Sequence, residues 1–265
     1  MPYGECINVE HEGPVTTVVI DRPAARNACS VDMIRALHGA FTAFEQDQGA
    51  RVAVLTGVDE SFCAGADLGE IEDGTAIGFC WAGLDQGVTR RYLTKPVIAA
   101  VNGPALAAGL ALAVWCDLRV AADNATFGVS CRRFGGPMPN GATVRLPRLI
   151  GQSHALDLML TGRIIDADEA HRMGLVNRVV GRGTARRQAE ALALDLASMP
   201  AAAMLADRSS LLRQWSCPEQ DAIRYEVEVG KAVFGVDFQA GAARFGRGEG
   251  RHGTDLPRRP EAATS

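Results

Sequence analysis

Two short runs of very small residues carry the chemistry that can be read first from this chain. Ala107, Ala108 and Gly109 open an aliphatic stretch, and Phe62-Cys63-Ala64-Gly65-Ala66-Asp67-Leu68 follows a strand-like run at residues 52–56. Residues with almost no side chain let a ligand approach the backbone. The first N–H groups of a helix have no internal partner, and the positive end of its dipole suits a developing negative charge. Two loops that each offer a backbone N–H could together form an oxyanion hole for an ester or thioester carbonyl. The same residues also suit close packing, and short motifs of this kind are weak alone. Both readings stay open at this point.

The element that must position these residues is the stretch at 95–117, KPVIAAVNGPALAAGLALAVWCD. It has no charge between Lys95 and Asp117, and Asn102-Gly103-Pro104 splits it. Residues 97–101 form an apolar, β-branched-rich run of strand length, as in a strand buried on both faces. Residues 107–116 are aliphatic and helix-forming. The expectation is strand, tight turn, buried helix. A membrane span is disfavoured, because the split leaves two pieces too short to cross a bilayer.

Strands are expected at residues 15–20, 51–56, 117–122, 126–128 and 176–180. A helix capped by Ser30 should run from Val31 to about Gln48, since Ile34, Leu37, Phe41 and Phe44 recur at helical spacing. Residues 70–87, with Glu70, Glu72, Asp73, Asp85 and four glycines, read either as a lid over a ligand or as an ordinary surface loop. Residues 132–148 read as irregular and Gly/Pro-rich, with short helices at 153–160 and 166–173. A helix follows to about Ser198. Beyond it, residues 201–215, 218–234 and 237–245 are amphipathic and helical without strands, which marks a change of architecture. The expected division is a core at 1–198 and a helical region at 199–265.

Composition bounds the function. The 265 residues are 47% hydrophobic and 22% charged, an ordinary globular balance able to bury a large core. A net charge of -4 gives no electrostatic case for nucleic acid or an anionic membrane. Seven cysteines, scattered and never in Cys-x-x-Cys, argue for a reducing cytoplasm and against a disulfide framework or a zinc site. The five histidines lie far apart, so no metal is expected. The polar start lacks the apolar core of a signal peptide. No Gly-x-Ser-x-Gly elbow, phosphate-binding loop or dinucleotide fingerprint is present.

Several motifs, in order and spacing, resemble the crotonase, or enoyl-CoA hydratase/isomerase, superfamily. They are Asp21-Arg22-Pro23-Ala24-Ala25-Arg26-Asn27-Ala28, residues 62–68, residues 95–127, and Leu160-Thr161-Gly162-Arg163 with residues 170–176. The resemblance covers most of the chain up to about Val180. It implies an α/β fold, a crotonase-like spiral of repeated ββα units with a C-terminal α-helical region that covers the site and makes a homotrimer or a dimer of trimers. It implies an acyl-CoA ligand or substrate, with no cofactor. By this resemblance the oxyanion donors are the N–H groups of Ala66 and Ala108, and Arg26, Ala64, Gly65, Ala66, Asp67, Leu68 and Ala108 line the CoA thioester.

The same correspondence brings two departures. Hydratases place a glutamate three residues after the second oxyanion donor, where this chain has Ala111, and another three residues after the Phe-Gly pair, where it has Cys131. Two-glutamate hydration of a 2-enoyl-CoA is therefore disfavoured. Beside Arg132 and Arg133, the Cys131 thiolate could serve as base or nucleophile; cysteine is equally a small apolar filler. Asn140 stands in a loop where some relatives carry a catalytic aspartate. It can hydrogen-bond but cannot exchange protons near neutral pH, and beside Gly141 it also reads as a turn residue. The expectations are an acyl-CoA lyase, isomerase or hydrolase using other groups, or a non-catalytic acyl-CoA binding, carrier or regulatory protein.

Overall fold

Fully buried aliphatic strands set up the edge on which everything else depends. In the computed structural model, which describes residues 4–76 and 87–249, one sheet has six strands. Its order is β1 (Ile7–Glu12), β2 (Val15–Ile20), β3 (Val52–Gly57), β4 (Val97–Val101), β6 (Leu118–Ala122) and β9 (Arg178–Val180). β1 and β2 pair antiparallel, and every later neighbour is parallel. All residues of β2, β3 and β4 are buried, as parallel strands covered on both faces require. Leu55 lies opposite Ala99, so β3 and β4 end side by side. The loops that leave those ends, at 58–67 and 102–107, are therefore neighbours. Open parallel sheets hold ligands at this carboxyl edge.

A second sheet joins β5 (Ala105–Leu106), β7 (Thr126–Gly128) and β8 (Ile164–Asp166). β1, β5 and β8 are strands that the sequence reading lacks. β5 and β8 are too short to display an alternating pattern, and β1 is mostly polar because much of it is exposed.

The helices follow local chemistry more closely. In α1 (Val31–Gln46) the Ser30 hydroxyl accepts the Met33 N–H at 3.2 Å, and Ile34, Leu37, Phe41 and Phe44 are buried. α2 (Leu68–Glu72) is a short helix capped by Asp67. α3 (Ala108–Trp115) is buried from Ala108 through Val114. At its carboxyl end the buried Arg119 guanidinium donates to Cys116 O at 2.8 Å and Ala113 O at 3.5 Å, and its Nε donates to Leu175 O at 2.6 Å. A cation there complements the negative end of the helix dipole. Asp117 Oδ2 accepts the Val97 N–H at 2.8 Å, which is a structural role.

The expectation of irregular chain over 132–148 is corrected. A one-turn helix spans Ser130–Phe134, and α4 runs over Ala142–Thr161, through Pro147, with a break at Gly151 (φ 76°, ψ 158°). Ala142, Leu146 and Ile150 fall at four-residue spacing and are buried, so burial of that stripe outweighs the proline and glycine signals. The helix expected at 153–160 is the second half of α4. α5 (Ala167–Arg172) starts at Asp166, whose carboxylate accepts the Glu169 N–H at 2.7 Å.

The chain forms two compact units, Met1–Leu194 and Asp195–Ser265, so that α6 (Ala185–Ser198) contains the division. The second unit holds α7 (Ala201–Arg213), α8 (Glu219–Val233) and α9 (Gln239–Gly246), and no strand among its described residues. Within it Arg213 stacks over the Tyr225 ring at 4.1 Å. Leu211, Trp215, Phe234, Phe238 and Phe245 are exposed. No single helix among the described residues is long and apolar enough to cross a membrane.

Candidate functional site

At the shared end of β3 and β4, residues 63–67 form a strap that is bonded along both edges. On one side Cys29 N donates to Gly65 O at 2.7 Å, Asp67 N to Cys29 O at 2.9 Å and Ala64 N to Arg26 O at 3.1 Å. On the other, Cys63 N donates to Pro104 O and Leu106 N to Cys63 O, both at 3.0 Å. Two N–H groups stand outside this pattern. Among the described residues, neither Ala66 N nor Ala108 N donates to a protein acceptor.

Glycine is required where the strap meets α3. A Cβ on Gly109 would lie 2.9 Å from both the carbonyl carbon and the Cβ of Cys63, and one on Gly65 (φ 118°) would lie 3.1 Å from the Ala107 Cβ. Loop and helix therefore meet backbone to backbone. Ala107 makes the turn into α3 at φ 49°, ψ -112°, and its N–H donates to Gly128 O at 2.9 Å. An L-residue in such a conformation stores about 1–3 kcal/mol of strain, which the surrounding packing must hold. The strain aims the first turn of α3.

Ala66, Ala107 and Ala108 form one wall of a cavity of about 190 Å³. Leu68 and Ile71 of α2, together with Phe134, Cys131 and residues 136–140, form the rest. The cavity brings together five of the residues singled out from sequence: Ala66, Leu68, Ala108, Cys131 and Asn140. Arg26, Ala64, Gly65, Asp67 and Ala111 do not line it.

Each of these five has a visible structural part instead. Arg26, at φ 50°, ends the single turn Pro23–Ala25 and offers its carbonyl to Ala64 N and, at 3.0 Å, to Ser61 Oγ. Gly65 and Ala64 belong to the strap. Asp67 pairs with Arg22 at 2.9 Å and accepts the Gly69 N–H at 3.1 Å. Ala111 is fully buried one turn along α3, and its N–H donates to Ala107 O at 3.1 Å.

The electrostatics of the cavity are those of a nearly neutral box. Cys131 is its only ionisable lining side chain among the described residues. Burial pushes the Cys131 thiol above its usual pKa, and the opposing pull of Arg132 is smaller. Of the two readings open from sequence, desolvation favours the inert one: it outweighs Arg132, and the group is a thiol near neutral pH. Its Sγ contacts Pro137 O at 3.9 Å. Asn140 is buried, and Gly141, which precedes α4, makes the cap without help from a side chain. A deeper sulfur contact, Cys29 Sγ to Cys63 Sγ at 3.4 Å, lies within the strap's packing.

The acidic residues considered for a lid are placed differently. Glu70 Oε2 accepts the Val31 N–H at 2.8 Å, at the start of α1, and neither Glu70 nor Glu72 lines the cavity. Asp85 lies outside the described residues. Ile71, Phe134 and Met138 are lining residues that sequence reasoning missed, because single apolar residues in short helices and turns carry no pattern. Among the described residues no group of three or more His, Cys, Asp and Glu side chains could hold a metal ion.

Comparison with known proteins points to one family. A family model described as enoyl-CoA hydratase/isomerase matches residues 10–249. An enoyl-CoA hydratase of Mycobacterium tuberculosis is 37% identical over 235 residues, covering 85% of this chain and 87% of that protein. A short-chain-enoyl-CoA hydratase of Clostridium acetobutylicum is 37% identical over 238 residues, covering 88% and 91%. A crystal structure of an enoyl-CoA hydratase from Mycobacterium tuberculosis superposes with a TM-score of 0.85 at 34% identity, over 92% of this chain and 96% of that one. The α/β crotonase-like fold expected from the motifs is thus the fold observed, and by sequence and by structure the chain belongs to the enoyl-CoA hydratase/isomerase family.

Proposed function

We propose that this protein binds a fatty acyl-CoA thioester, that the N–H groups of Ala66 and Ala108 form the oxyanion hole for its carbonyl, and that paired-glutamate hydration is not its reaction. One observation carries the reading. Both alanines line one cavity, on segments held together by the strap, and neither N–H has a protein acceptor among the described residues. The adenine nucleotide part of CoA is left outside, since about 190 Å³ is smaller than the roughly 300–1,000 Å³ of sites that enclose drug-sized ligands. Exposed Arg26 is the cation offered to it, with Ala64, Gly65, Asp67 and Leu68 along its path.

Magnitudes decide what such a site can do. An oxyanion donor contributes about 3–4 kcal/mol to the transition state. General acid/base groups contribute typically about 10²–10⁴-fold, and the positions that would carry two of them hold Ala111 and Cys131. A methyl group relays no proton, and a protonated thiol is a poor base. The carbonyl is polarised, but water is not delivered across a double bond. A second reading, a non-catalytic acyl-CoA carrier or regulatory protein, is favoured by the absence of any ionised side chain among the described lining residues. The helical region at 199–265 is the oligomerisation element of a homotrimer or dimer of trimers in this reading, supported by its exposed Leu211, Trp215 and Phe238. Free thiols at all six described cysteines suit a reducing, cytoplasmic setting.

The test is incubation of the purified protein with saturated and α,β-unsaturated acyl-CoAs in deuterated water, read by mass spectrometry, with binding measured in parallel. Saturable binding that is lost in Ala66→Pro and Ala108→Pro, without added water, is the expected result. Proline is accepted at the first position of a helix, so folding of Ala108→Pro can be checked by thermal melting. Released CoA or incorporated deuterium would assign hydrolysis or α-proton exchange, and loss of either in Cys131→Ala would name the thiol as its agent. Hydration at about 1 s⁻¹ or faster, the lower end of ordinary enzymes, would overturn the exclusion of hydration. Unchanged affinity in both proline variants would overturn the hole.

A further inference from the structure

Among the described lining residues, Asn140 is the one whose polarity the fold does not use. It is only 8% exposed, and among the described residues its carboxamide has no hydrogen-bond partner in the protein. Turn asparagines usually bond to the backbone one or two residues on, or cap the helix that follows. Here Pro139 and Gly141 shape the turn, Gly141 provides the cap position, and no side chain caps α4. The polar atoms of Asn140 are not sealed within the core, and the residue lines the cavity. A carboxamide offers two N–H donors and a carbonyl acceptor. The remaining described walls are aliphatic, aromatic or proline and glycine, apart from the Cys131 thiol already directed at Pro137 O.

The chemistry of an occupant follows from this inventory. A plain hydrocarbon chain that fills the cavity displaces water from the carboxamide and leaves it buried and unpaired, which is the costly arrangement. A carboxylate on the acyl group would be buried with no cation among the described lining residues. An uncharged oxygen satisfies the amide without either penalty.

We propose that Asn140 is a specificity-determining residue that selects an acyl group bearing a hydroxyl or keto oxygen over a hydrocarbon chain of the same length. The proposal rests on the acyl-CoA reading above. Sites built to hydrogen-bond a ligand oxygen discriminate strongly against analogues without it.

The experiment measures dissociation constants of butyryl-CoA, 3-hydroxybutyryl-CoA (both enantiomers), 4-hydroxybutyryl-CoA and acetoacetyl-CoA by calorimetry. The proteins are wild type, Asn140→Leu, Asn140→Asp and Ala108→Pro. Wild type should bind at least one oxygenated ligand about 10-fold or more tighter than butyryl-CoA, the ratio expected for one buried amide satisfied or left unpaired. Asn140→Leu should reduce that ratio to within about 2-fold. Asn140→Asp, titrated at about pH 8.5 so that a carboxyl whose pKa burial raises is still ionised and accepts without donating, should keep a preference for a hydroxyl and lose any preference for the keto group. If Asn140→Leu fails to fold, the split between hydroxyl and keto ligands in Asn140→Asp decides alone. Equal affinities in wild type, or a preference untouched in the Asn140 variants, overturn this proposal while Ala108→Pro still weakens every ligand. If no ligand binds, or Ala108→Pro binds all as wild type does, the thioester reading has failed and this one falls with it.

Discussion

Replacing Gly109 by alanine tests the claim that close backbone contact between the strap and α3 builds the site. The added Cβ would stand 2.9 Å from the carbonyl carbon and the Cβ of Cys63. The nearest atom to that Cβ is the Cys63 carbonyl oxygen, far inside contact distance, and non-bonded heavy atoms prefer about 3.5 Å, so the two segments must part by roughly 1 Å. Overpacking of this kind costs typically about 1–3 kcal/mol. For a domain of this size each kcal/mol moves the thermal midpoint by about 2–4 °C, and the expected fall is therefore about 2–12 °C. An oxyanion donor works at about 2.7–3.1 Å, and roughly 1 Å more takes it beyond hydrogen-bonding range. Affinity for butyryl-CoA should fall about 5- to 10-fold, the net worth of one hydrogen bond.

The same chemical change at Gly230, inside α8 with nothing within 4 Å of an added Cβ, should stabilise by about 0.5–1 kcal/mol. It should leave affinity alone. Differential scanning calorimetry and titration calorimetry on the two variants read both quantities. A Gly109→Ala protein that melts and binds as wild type does would refute the argument that the contact positions the donors.

Other expectations follow from single residues. Ala107→Gly should stabilise by about 1 kcal/mol in urea unfolding, because relief of the φ 49° conformation outweighs the extra freedom glycine gives the unfolded chain; a loss of stability would mean that the turn is not strained. Cys116 is buried and its thiol pKa is pushed far up by desolvation, so the native state keeps a proton that the unfolded chain releases above about pH 8.5. Stability from this group is complete below that pH and falls by about 1.4 kcal/mol per unit above it. Cys116→Ala should flatten the alkaline limb of a stability-against-pH curve by that slope, and an unchanged slope would contradict the burial argument. Alkylation of Cys131 by iodoacetamide at pH 7.5 should run slower than that of a free cysteine, since its thiolate is disfavoured, and faster reaction would restore it as a nucleophile.

The parts of this protein legible in its sequence are those dictated by local patterning. β2, β3 and β4 are nearly continuous aliphatic runs, and α1 displays both its stripe and its serine cap. The Asn102-Gly103-Pro104 break separates strand from helix in the stretch that matters most. The alanines and glycines of the two loops were recognisable as a candidate oxyanion hole because smallness is itself the requirement there.

Proximity was not legible. That residues 63–67 and 107–109 touch follows from the parallel pairing of β3 with β4, a contact between segments some 40 residues apart that no local pattern encodes. The state of Cys131 was decided by burial, which overrode the neighbouring arginines visible in the sequence. Asn140 is the turn residue that its place beside Gly141 suggested, and only the fold makes it a lining residue of the cavity as well. α4 overrode its own proline because a buried stripe outweighs local propensity. In each case the sequence determined what a segment can form, whereas the tertiary structure decided what surrounds it, since desolvation and hydrogen-bond satisfaction depend on neighbours brought from elsewhere in the chain.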